Sequence, residues 1–415
     1  MRTPSFLLVV LLLAGCASGG APQMAPEASG ERTPLILISV DGMRHDYLDR
    51  EDASTPTFDA LVASGVRAER LIPSYPTKTF PNHYTLVTGL HPAEHGIVGN
   101  TILDPDMGDS RGDSARFSLG NREAVTDGRW WGGEPIWVTA ENAGIRTGTV
   151  SWPGSEAEIM GVRPTNWMVY DGDLSYDARV DSALGWVGAG AGFVTLYFEG
   201  VDTQGHRNGP LAPETARALE DVDAALARLV AGLRQRQIDA DIVIVSDHGM
   251  ADMAPERRVV LDDVIDLETE TAYVIWGEAA GIWPALGADV DDMVARIDAM
   301  DHVSAWHRDD VPERYRFRGS RRIPPIVIDP EEGWTVTSRD YVERYPDRPN
   351  GGAHGFDNAL LSMHGVFLAS GPHFRAGTMT APLASVDVYD ILARALGVTP
   401  AANSGDPAVA DRVLR

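Results

Sequence analysis

Three continuous apolar runs constrain the fold of this 415-residue chain more than any other feature. Each run ends at or near an aspartate, and the pairs are 35–40 with Asp41, 193–198 with Asp202, and 242–246 with Asp247. Apolar runs without polar alternation are typical of strands buried on both faces, as in a parallel sheet covered by helices. Because open α/β sheets bind ligands beyond the carboxyl ends of their strands, we expect one site to collect the three aspartates.

Helical patterns lie where a parallel sheet requires them. Between the second and third runs, apolar side chains follow a helical spacing at Leu219, Val222, Leu226, Leu229 and Leu233. This spacing predicts a crossover helix with one apolar face. A second helix is predicted from Val386 to Leu396, where Gly397 ends it. The predicted fold class is therefore α/β, with a mostly parallel central sheet flanked by helices on both faces.

Residues 272–345 have a different pattern. Short β-rich segments surround an amphipathic stretch near 290–300, which predicts a small α+β insertion. We expect the insertion to interrupt one main domain over 34–415.

The N-terminal segment predicts export. A basic start, an apolar run over 7–13 and small residues before Cys16 are typical of a secretory signal peptide. Residues 13–16 resemble a bacterial lipobox, in which cleavage leaves the cysteine as the lipid-modified first residue. We therefore expect a lipoprotein signal peptide at 1–15, a flexible tether at 16–33 and a domain on the periplasmic face of a bacterial membrane. The residues after Cys16 lack an acidic retention signal, which favours the outer membrane.

The composition of the chain excludes several kinds of site and ligand. Cys16 is the only cysteine of the chain, so an intramolecular disulfide and a zinc site built on thiolates are both excluded. The chain has 35 Lys+Arg and 60 Asp+Glu, which gives a net charge of −25. Stable nucleic-acid binding is not expected, because it needs clustered basic side chains.

Three imidazoles complement the three aspartates. His206 follows Asp202 by four residues, His248 is adjacent to Asp247, and His354 comes later in the chain. Oxygen and nitrogen ligands in this number suit two zinc-like divalent ions, each held by about three protein groups. A pair of ions roughly 4 Å apart can hold the attacking and leaving oxygens of a phosphoryl transfer.

The candidate nucleophile is Thr79, which lies in the Pro-rich segment 76–84. A threonine hydroxyl becomes a competent nucleophile when a base or a metal ion removes its proton. An ordinary helix cap is the alternative role for this residue. The two roles are compatible, because a helix N-terminus attracts phosphate.

These motifs resemble those of the nucleotide pyrophosphatase/phosphodiesterase family of the alkaline phosphatase superfamily. The likeness extends from about Leu35 to Leu396, and it is carried by four segments: 73–100 around Thr79, 202–206, 246–250, and 354–358 followed by Met363. It implies an alkaline phosphatase-like fold and a hydrolase that cleaves phosphodiester or pyrophosphate bonds of nucleotides and related esters. Small-molecule diesters or nucleotides are the expected substrates.

The resemblance also implies a role for each matching residue. Asp202, His206 and His354 would hold one Zn²⁺, and a second would be held by Asp41, Asp247 and His248 with the oxygen of Thr79; other divalent ions are possible. Thr79 would form a covalent phospho-intermediate, and Asn100 would donate to a non-bridging phosphate oxygen. Phe80 and Tyr197 would line the substrate pocket.

One substrate-binding position departs from the family. Asn166 stands where members active on nucleotides often carry an aromatic residue that stacks on the base. Losing a stacking face costs about 1 kcal/mol of base binding. Trp167 or Tyr170 could supply another face.

Alternatives remain on the same scaffold. A choline- or lipid-type phosphodiesterase fits a membrane-tethered protein, and a phosphomonoesterase would need further cations near the nucleophile. Two divalent ions bring +4 against the −3 of the aspartates, which suits the single charge of a diester better. A sulfatase is set aside because its Cys/Ser-x-Pro-x-Arg motif is absent at the nucleophile. A binding lipoprotein without turnover would require the whole residue set to be coincidental.

Overall fold

The computed structural model describes residues 1, 32–108 and 115–415. Thr33–Arg415 form one compact unit. The expected signal peptide, Cys16 and nearly all of the expected tether lie outside the described residues. Within the described residues, no helix combines the length and the apolar character that crossing a bilayer requires.

The strands of the described residues are short, mostly two to six residues each. In chain order they are β1 Leu35–Val40, β2 Val66–Ala68, β3 Leu71–Ile72, β4 Thr101–Asp104, β5 Ala115–Ser118, β6 Thr147–Val150, β7 Asn166–Met168, β8 Phe193–Phe198, β9 Asp241–Val245, β10 Ala251–Asp252, β11 Arg258–Val260, β12 Thr271–Ile275, β13 Ala280–Pro284, β14 Val303–His307, β15 Ile326–Pro330, β16 Thr335–Thr337, β17 Gly352–Ala353, β18 Phe367–Ser370, β19 Thr378–Thr380 and β20 Leu383–Ala384.

The α-helices vary more in length. In chain order they are α1 Pro56–Ser64, α2 Thr79–Thr88, α3 Pro92–His95, α4 Arg122–Thr126, α5 Ile136–Asn142, α6 Tyr176–Gly188, α7 Gly200–Asn208, α8 Pro213–Gln235, α9 Val290–Asp298, α10 Arg339–Arg344, α11 Val388–Leu396 and α12 Ala410–Val413.

The central sheet has the strand order β19-β2-β18-β9-β1-β8-β6-β7. The three apolar runs form β1, β8 and β9, and β1 lies between the other two, parallel to both. The strands β6 and β7 continue the parallel pairing beyond β8. On the other side β18 is antiparallel to β9 and to β2. The prediction of a mostly parallel central sheet is confirmed.

Both faces of this sheet are buried, which explains the unalternating runs. In β1, Leu35 and Leu37 belong to one hydrophobic cluster, whereas Ile36 and Ile38 belong to the cluster on the opposite face. The predicted crossover helix is α8, and its five apolar positions are all buried. The second predicted helix is α11, which ends at Gly397; this residue has the left-handed conformation (φ 65°) expected of a C-terminal capping glycine.

A second, smaller sheet forms the centre of the insertion. Its order is β12-β13-β15-β14, and all its pairings are antiparallel. Helix α9 packs on this sheet through Met293 and Ile297. The insertion is tied to the main domain by buried Arg322, which donates to Asp104 and to the carbonyl groups of Gly96 and Trp130.

Candidate metal centre and active site

The three aspartates meet at the carboxyl ends of adjacent strands. Asp41 directly follows β1, Asp247 lies two residues after β9, and Asp202 lies in the first turn of α7, which follows β8. Gly42 permits this close approach: it has φ +67°, and a Cβ atom there would lie 2.9 Å from the Cα of Asp202. The sheet therefore gathers the three carboxylates, as the position of the runs predicts.

Each of the three histidines is oriented by a backbone carbonyl group. The Nδ1 atoms lie 2.8 Å from Gly352 O for His206, 2.9 Å from Gly249 O for His248 and 2.7 Å from Thr77 O for His354. A neutral imidazole carries one N–H, so donation from Nδ1 leaves Nε2 as a lone-pair atom. This arrangement is typical of histidines that bind a metal through Nε2.

Distances divide the six side chains into two groups. In the first, Asp202 Oδ1 lies 3.4 Å from His206 Nε2 and 3.7 Å from His354 Nε2. In the second, His248 Nε2 lies 2.9 Å from Asp247 Oδ2 and 3.4 Å from Asp41 Oδ1. The rings of His248 and His354 stack with centroids 3.5 Å apart and so join the two groups. The family resemblance implies this grouping, whereas ligand atoms that all lie within 4.8 Å of one another join His248 to Asp202 and His354, and His83 to Asp41 and Asp247.

The donor set fits divalent cations. One oxygen of each aspartate is buried without a hydrogen-bond partner in the described residues: Asp41 Oδ1, Asp202 Oδ1 and Asp247 Oδ2. Burying a carboxylate oxygen costs about several kcal/mol unless a cation or a hydrogen-bond donor compensates for the lost water. Burial and the repulsion of Asp247 and Asp202 raise the pKa of Asp41 well above its usual value. Cations at this position would compensate for the buried oxygens and would reduce the repulsion among the three carboxylates.

Thr79 is the first residue of α2 and faces the second group. Its Oγ1 lies 3.3 Å from His248 Nε2. Lys78 occupies the N-cap position, and its side chain makes no capping hydrogen bond. Thr79 is therefore not the ordinary N-cap that we considered as an alternative role.

Asn100 lies beside the nucleophile. Its Oδ1 accepts a hydrogen bond of 2.9 Å from the backbone N–H of Phe80. This contact orients the amide group, and Asn100 lines the cleft that contains Thr79. The geometry is compatible with donation to a phosphate oxygen.

A cleft of about 350 Å³ opens in front of these groups. Its aromatic walls are Phe80, Trp152, Tyr170 and Tyr197, and its floor includes Thr79, Asn100 and the first metal-ligand group. The hydroxyl of Tyr197 donates to Asp41 Oδ2 at 2.5 Å, which connects a wall residue to the carboxylates. The predicted positions of Phe80 and Tyr197 in the pocket agree with this geometry.

Asn166 lies outside the residues that line the cleft. It begins β7, and its amide contacts Thr147 O at 3.4 Å, because β7 pairs with β6 at the edge of the sheet. Trp167 is 39% exposed and lies under the guanidinium group of Arg163, 5.2 Å away. Tyr170 lines the cleft instead, so it is the residue placed to supply the missing aromatic face.

His83 is a site residue that sequence reasoning missed. Its Nε2 lies 2.8 Å from Ser39 Oγ, and its Nδ1 lies 2.9 Å from Thr79 O and 3.2 Å from Asp247 Oδ2. Both ring nitrogens therefore have protein partners. The available signal was a histidine in the middle of the Thr79 motif, four residues after the nucleophile, where it lies one turn along the same helix.

Comparison with known proteins places this geometry in a family. The family model for type I phosphodiesterase/nucleotide pyrophosphatase matches residues 35–357. A venom phosphodiesterase of Macrovipera lebetinus is 33% identical over 96% of this chain and 47% of its own length. Human ectonucleotide pyrophosphatase/phosphodiesterase family member 1 is 32% identical over 96% of this chain and 44% of its own length. The chain thus spans about half the length of these curated relatives.

Solved structures agree. Murine ectonucleotide pyrophosphatase/phosphodiesterase 5, in an inactive threonine-to-alanine variant bound to AMP, has a TM-score of 0.85 at 32% identity. That match covers 92% of this chain and 100% of the murine one. The extent of the family match and of these likenesses shows that the chain belongs to the type I phosphodiesterase/nucleotide pyrophosphatase family, within the alkaline phosphatase superfamily.

Proposed function

We propose that the chain is a two-metal hydrolase that cleaves phosphodiester and pyrophosphate bonds of nucleotides and related esters through a covalent intermediate on Thr79. One observation carries the proposal: the hydroxyl of Thr79 faces His248 beside three buried carboxylate oxygens that have no hydrogen-bond partner in the described residues. A nucleophile, nitrogen ligands and oxygen ligands thus converge on one cleft.

Zinc is the proposed metal, because its usual ligands in proteins include imidazole and carboxylate. Asp202, His206 and His354 would hold one ion, and Asp41, Asp247 and His248 the other, with the oxygen of Thr79. When bound, such ions neutralise the carboxylates, lower the pKa of a hydroxyl beside them and stabilise charge on the phosphate.

Thr79 and Asn100 carry out the steps of the proposed reaction. Thr79 Oγ1 loses its proton and forms a bond to phosphorus while the bond from phosphorus to the leaving oxygen breaks, and the leaving oxygen takes up a proton from water. Water then adds to phosphorus, and the Thr79 oxygen departs with a proton, which restores the hydroxyl. The Nδ2 group of Asn100 donates to a non-bridging oxygen, on which charge increases in the transition state.

Nucleotide-type substrates fit the cleft best. Aromatic walls at Phe80, Tyr170 and Tyr197 offer flat faces to a base, and such stacking contributes about 1–3 kcal/mol per base. The AMP bound by the murine relative supports this substrate class. A panel of bis-aryl phosphate, dinucleotide pyrophosphate, cyclic dinucleotide, glycerophosphocholine and aryl monophosphate tests it against the choline- or lipid-type and monoesterase alternatives. Highest catalytic efficiency on glycerophosphocholine or on the monoester would contradict the proposal.

Thr79→Ala tests the nucleophile. We expect activity to fall by about a thousandfold or more while two metal ions remain bound, because the buried carboxylates and imidazoles are unchanged. Thr79→Ser is the matched control, since it keeps a hydroxyl at the same position, and it should retain measurable turnover. Wild-type rates in Thr79→Ala would overturn the assignment.

We also propose that the protein is a periplasmic lipoprotein anchored through Cys16. The support is the sequence alone: the order of basic, apolar and small residues before the only cysteine.

A further inference from the structure

A second cavity, of about 160 Å³, lies between the main domain and the insertion. Lys78, Asn100 and Tyr75 line one side, and Ile275, Trp276 and Phe317 line the other. Asn100 also lines the cleft that contains Thr79. The two cavities therefore share the residue that is placed to donate to the phosphate.

Lys78 supplies the cationic group of this second cavity, but its charge is already compensated. Its Nζ donates to Glu278 Oε2 at 2.9 Å and to the backbone oxygen of His354 at 2.6 Å. The side chain passes over Gly355, where a Cβ atom would lie 2.4 Å from Lys78 Cε. The ammonium group is thus both fixed in position and neutralised.

Glu278 is held in place by the fold of the insertion. The preceding residue, Gly277, has φ +104° and exchanges two backbone hydrogen bonds with Val336, of 3.0 and 3.1 Å. Thr335 Oγ1 donates to Glu278 Oε1 at 3.1 Å. The side chains of Lys78 and Glu278 are only 19% and 16% exposed, so the pair is well shielded from solvent. Solvent and salt weaken such a shielded ion pair less than they weaken an exposed ion pair.

The rest of the second cavity is lined mainly by apolar residues, although its exposed surface is about half polar. Trp276 is 43% exposed, and its neighbours in the lining include Ile275, Phe317 and Val327. An apolar cavity of about 150 Å³ holds one benzene-sized ring. A flat ring is therefore the ligand group that matches both the volume and the walls.

We propose that this cavity is a second substrate subsite, which receives one flat ring of the leaving group, such as the base of a nucleoside, and so selects an uncharged leaving group over a polyphosphate. The inference rests on the proposed function. A polyphosphate leaving group would need an unpaired cation beside Asn100, and Glu278 occupies the cation that is present. An uncharged ring needs only the apolar wall.

Trp276→Ala tests the wall. We expect kcat/KM for a dinucleoside monophosphate, which releases a nucleoside, to fall about tenfold because a stacking face is lost. The value for a nucleoside triphosphate, which releases pyrophosphate, should change by less than about twofold. Trp283→Ala is the matched control, because Trp283 lies in the same insertion and does not line the cavity.

Glu278→Gln tests the charge. It removes the compensating carboxylate and leaves Lys78 free to attract an anion, so kcat/KM for the triphosphate should rise at least about fivefold relative to the dinucleoside monophosphate. The double variant Glu278→Gln/Lys78→Met should lose that gain. Glu270→Gln is the matched control, because Glu270 pairs with Arg296 in the same insertion, away from the cavity.

The two substrates distinguish failure of the subsite from failure of the proposed function. Equal changes for both substrates in Trp276→Ala and in Glu278→Gln, or equal effects in the control variants, would overturn the subsite while leaving the proposed function intact. If the wild-type protein hydrolyses neither substrate, the proposed function is wrong and the subsite is wrong with it.

Discussion

His83 connects three parts of the site, although the family resemblance assigns it to neither ligand set. Its ring is completely buried and contacts Ser39 at the end of β1, Thr79 on α2 and Asp247 after β9. Edge contacts with the rings of Trp152 and Tyr197, each 5.2 Å away, leave it little freedom. It is therefore a positioning residue for the carboxylate of Asp247.

Replacing His83 should weaken metal binding rather than abolish the fold. Residues that orient a metal ligand typically change metal affinity by about 10- to 100-fold when they are removed. We expect this loss for His83→Ala in a zinc titration against a chromogenic chelator, together with a lower kcat at limiting zinc. His302→Ala is the control, because His302 stacks on Trp334 in the insertion. Equal zinc affinities in the two variants would contradict the assignment.

Protons should compete with the metal ions at the histidines. Burial favours the neutral form of His248, but the carboxylate of Asp247 outweighs it and raises the pKa of His248. His248 in the metal-free protein therefore takes up a proton at a higher pH than an ordinary histidine, and Nε2 must lose that proton to bind a metal. Zinc affinity and activity should fall together as pH decreases below neutrality. Titration of zinc binding at several pH values measures this, and a flat profile would refute it.

At the scale of elements, the apolar runs predicted β1, β8 and β9, whereas the direction of β18 could not be predicted. A strand of four residues has no signal for direction, which depends on how the chain returns after the insertion. The site shows the same limit. Asp41, Asp202 and Asp247 lie within four residues of the ends of their strands, so the sheet topology brings them together. The contact of Lys78 with Glu278 joins residues 200 positions apart, and no local sequence pattern indicates that contact.

The attachment of the insertion to β4 depends on Asp104. Its carboxylate is fully buried and accepts hydrogen bonds from Arg321 and Arg322. Burial alone would raise the pKa of Asp104, but these bonds prevail and lower it to about 2. Because the pKa in the folded state lies below the unfolded value, the stabilisation is present above about pH 4 and is lost as pH falls toward 2.

Asp104→Asn should lower the free energy of unfolding by about 3–5 kcal/mol at neutral pH, since Arg322 would stay buried without its counterion. The difference from wild type should shrink in acid, and urea unfolding at pH 7 and pH 3 measures it. Asp106→Asn is the control: that carboxylate is 70% exposed and, among the described residues, pairs with Arg321, so its loss should change stability by less than about 1 kcal/mol. Equal losses in both variants would contradict a specific role for Asp104.

At the scale of the whole molecule, the compact unit begins at Thr33, and the sequence before it predicts an anchor. Cys16→Ser should move the protein from the membrane fraction to the soluble periplasmic fraction of a bacterial host, because no lipid can be attached. The specific activity of the released protein on a soluble substrate should equal that of the wild type. Membrane association that persists in this variant would refute the lipid anchor.

The cationic side chains that line the two cavities are paired with carboxylates. Within the described residues of the linings, Lys78 pairs with Glu278 and Arg122 with Glu156. An approaching anionic substrate therefore meets no unpaired basic side chain in these linings, while the chain as a whole carries a net charge of −25. Dissolved salt shortens the range of that repulsion, to about 10 Å at 0.1 M ionic strength. The two proposed metal ions would attract an anion at short range, whereas the net charge repels it at long range, so substrate capture should become faster as ionic strength rises.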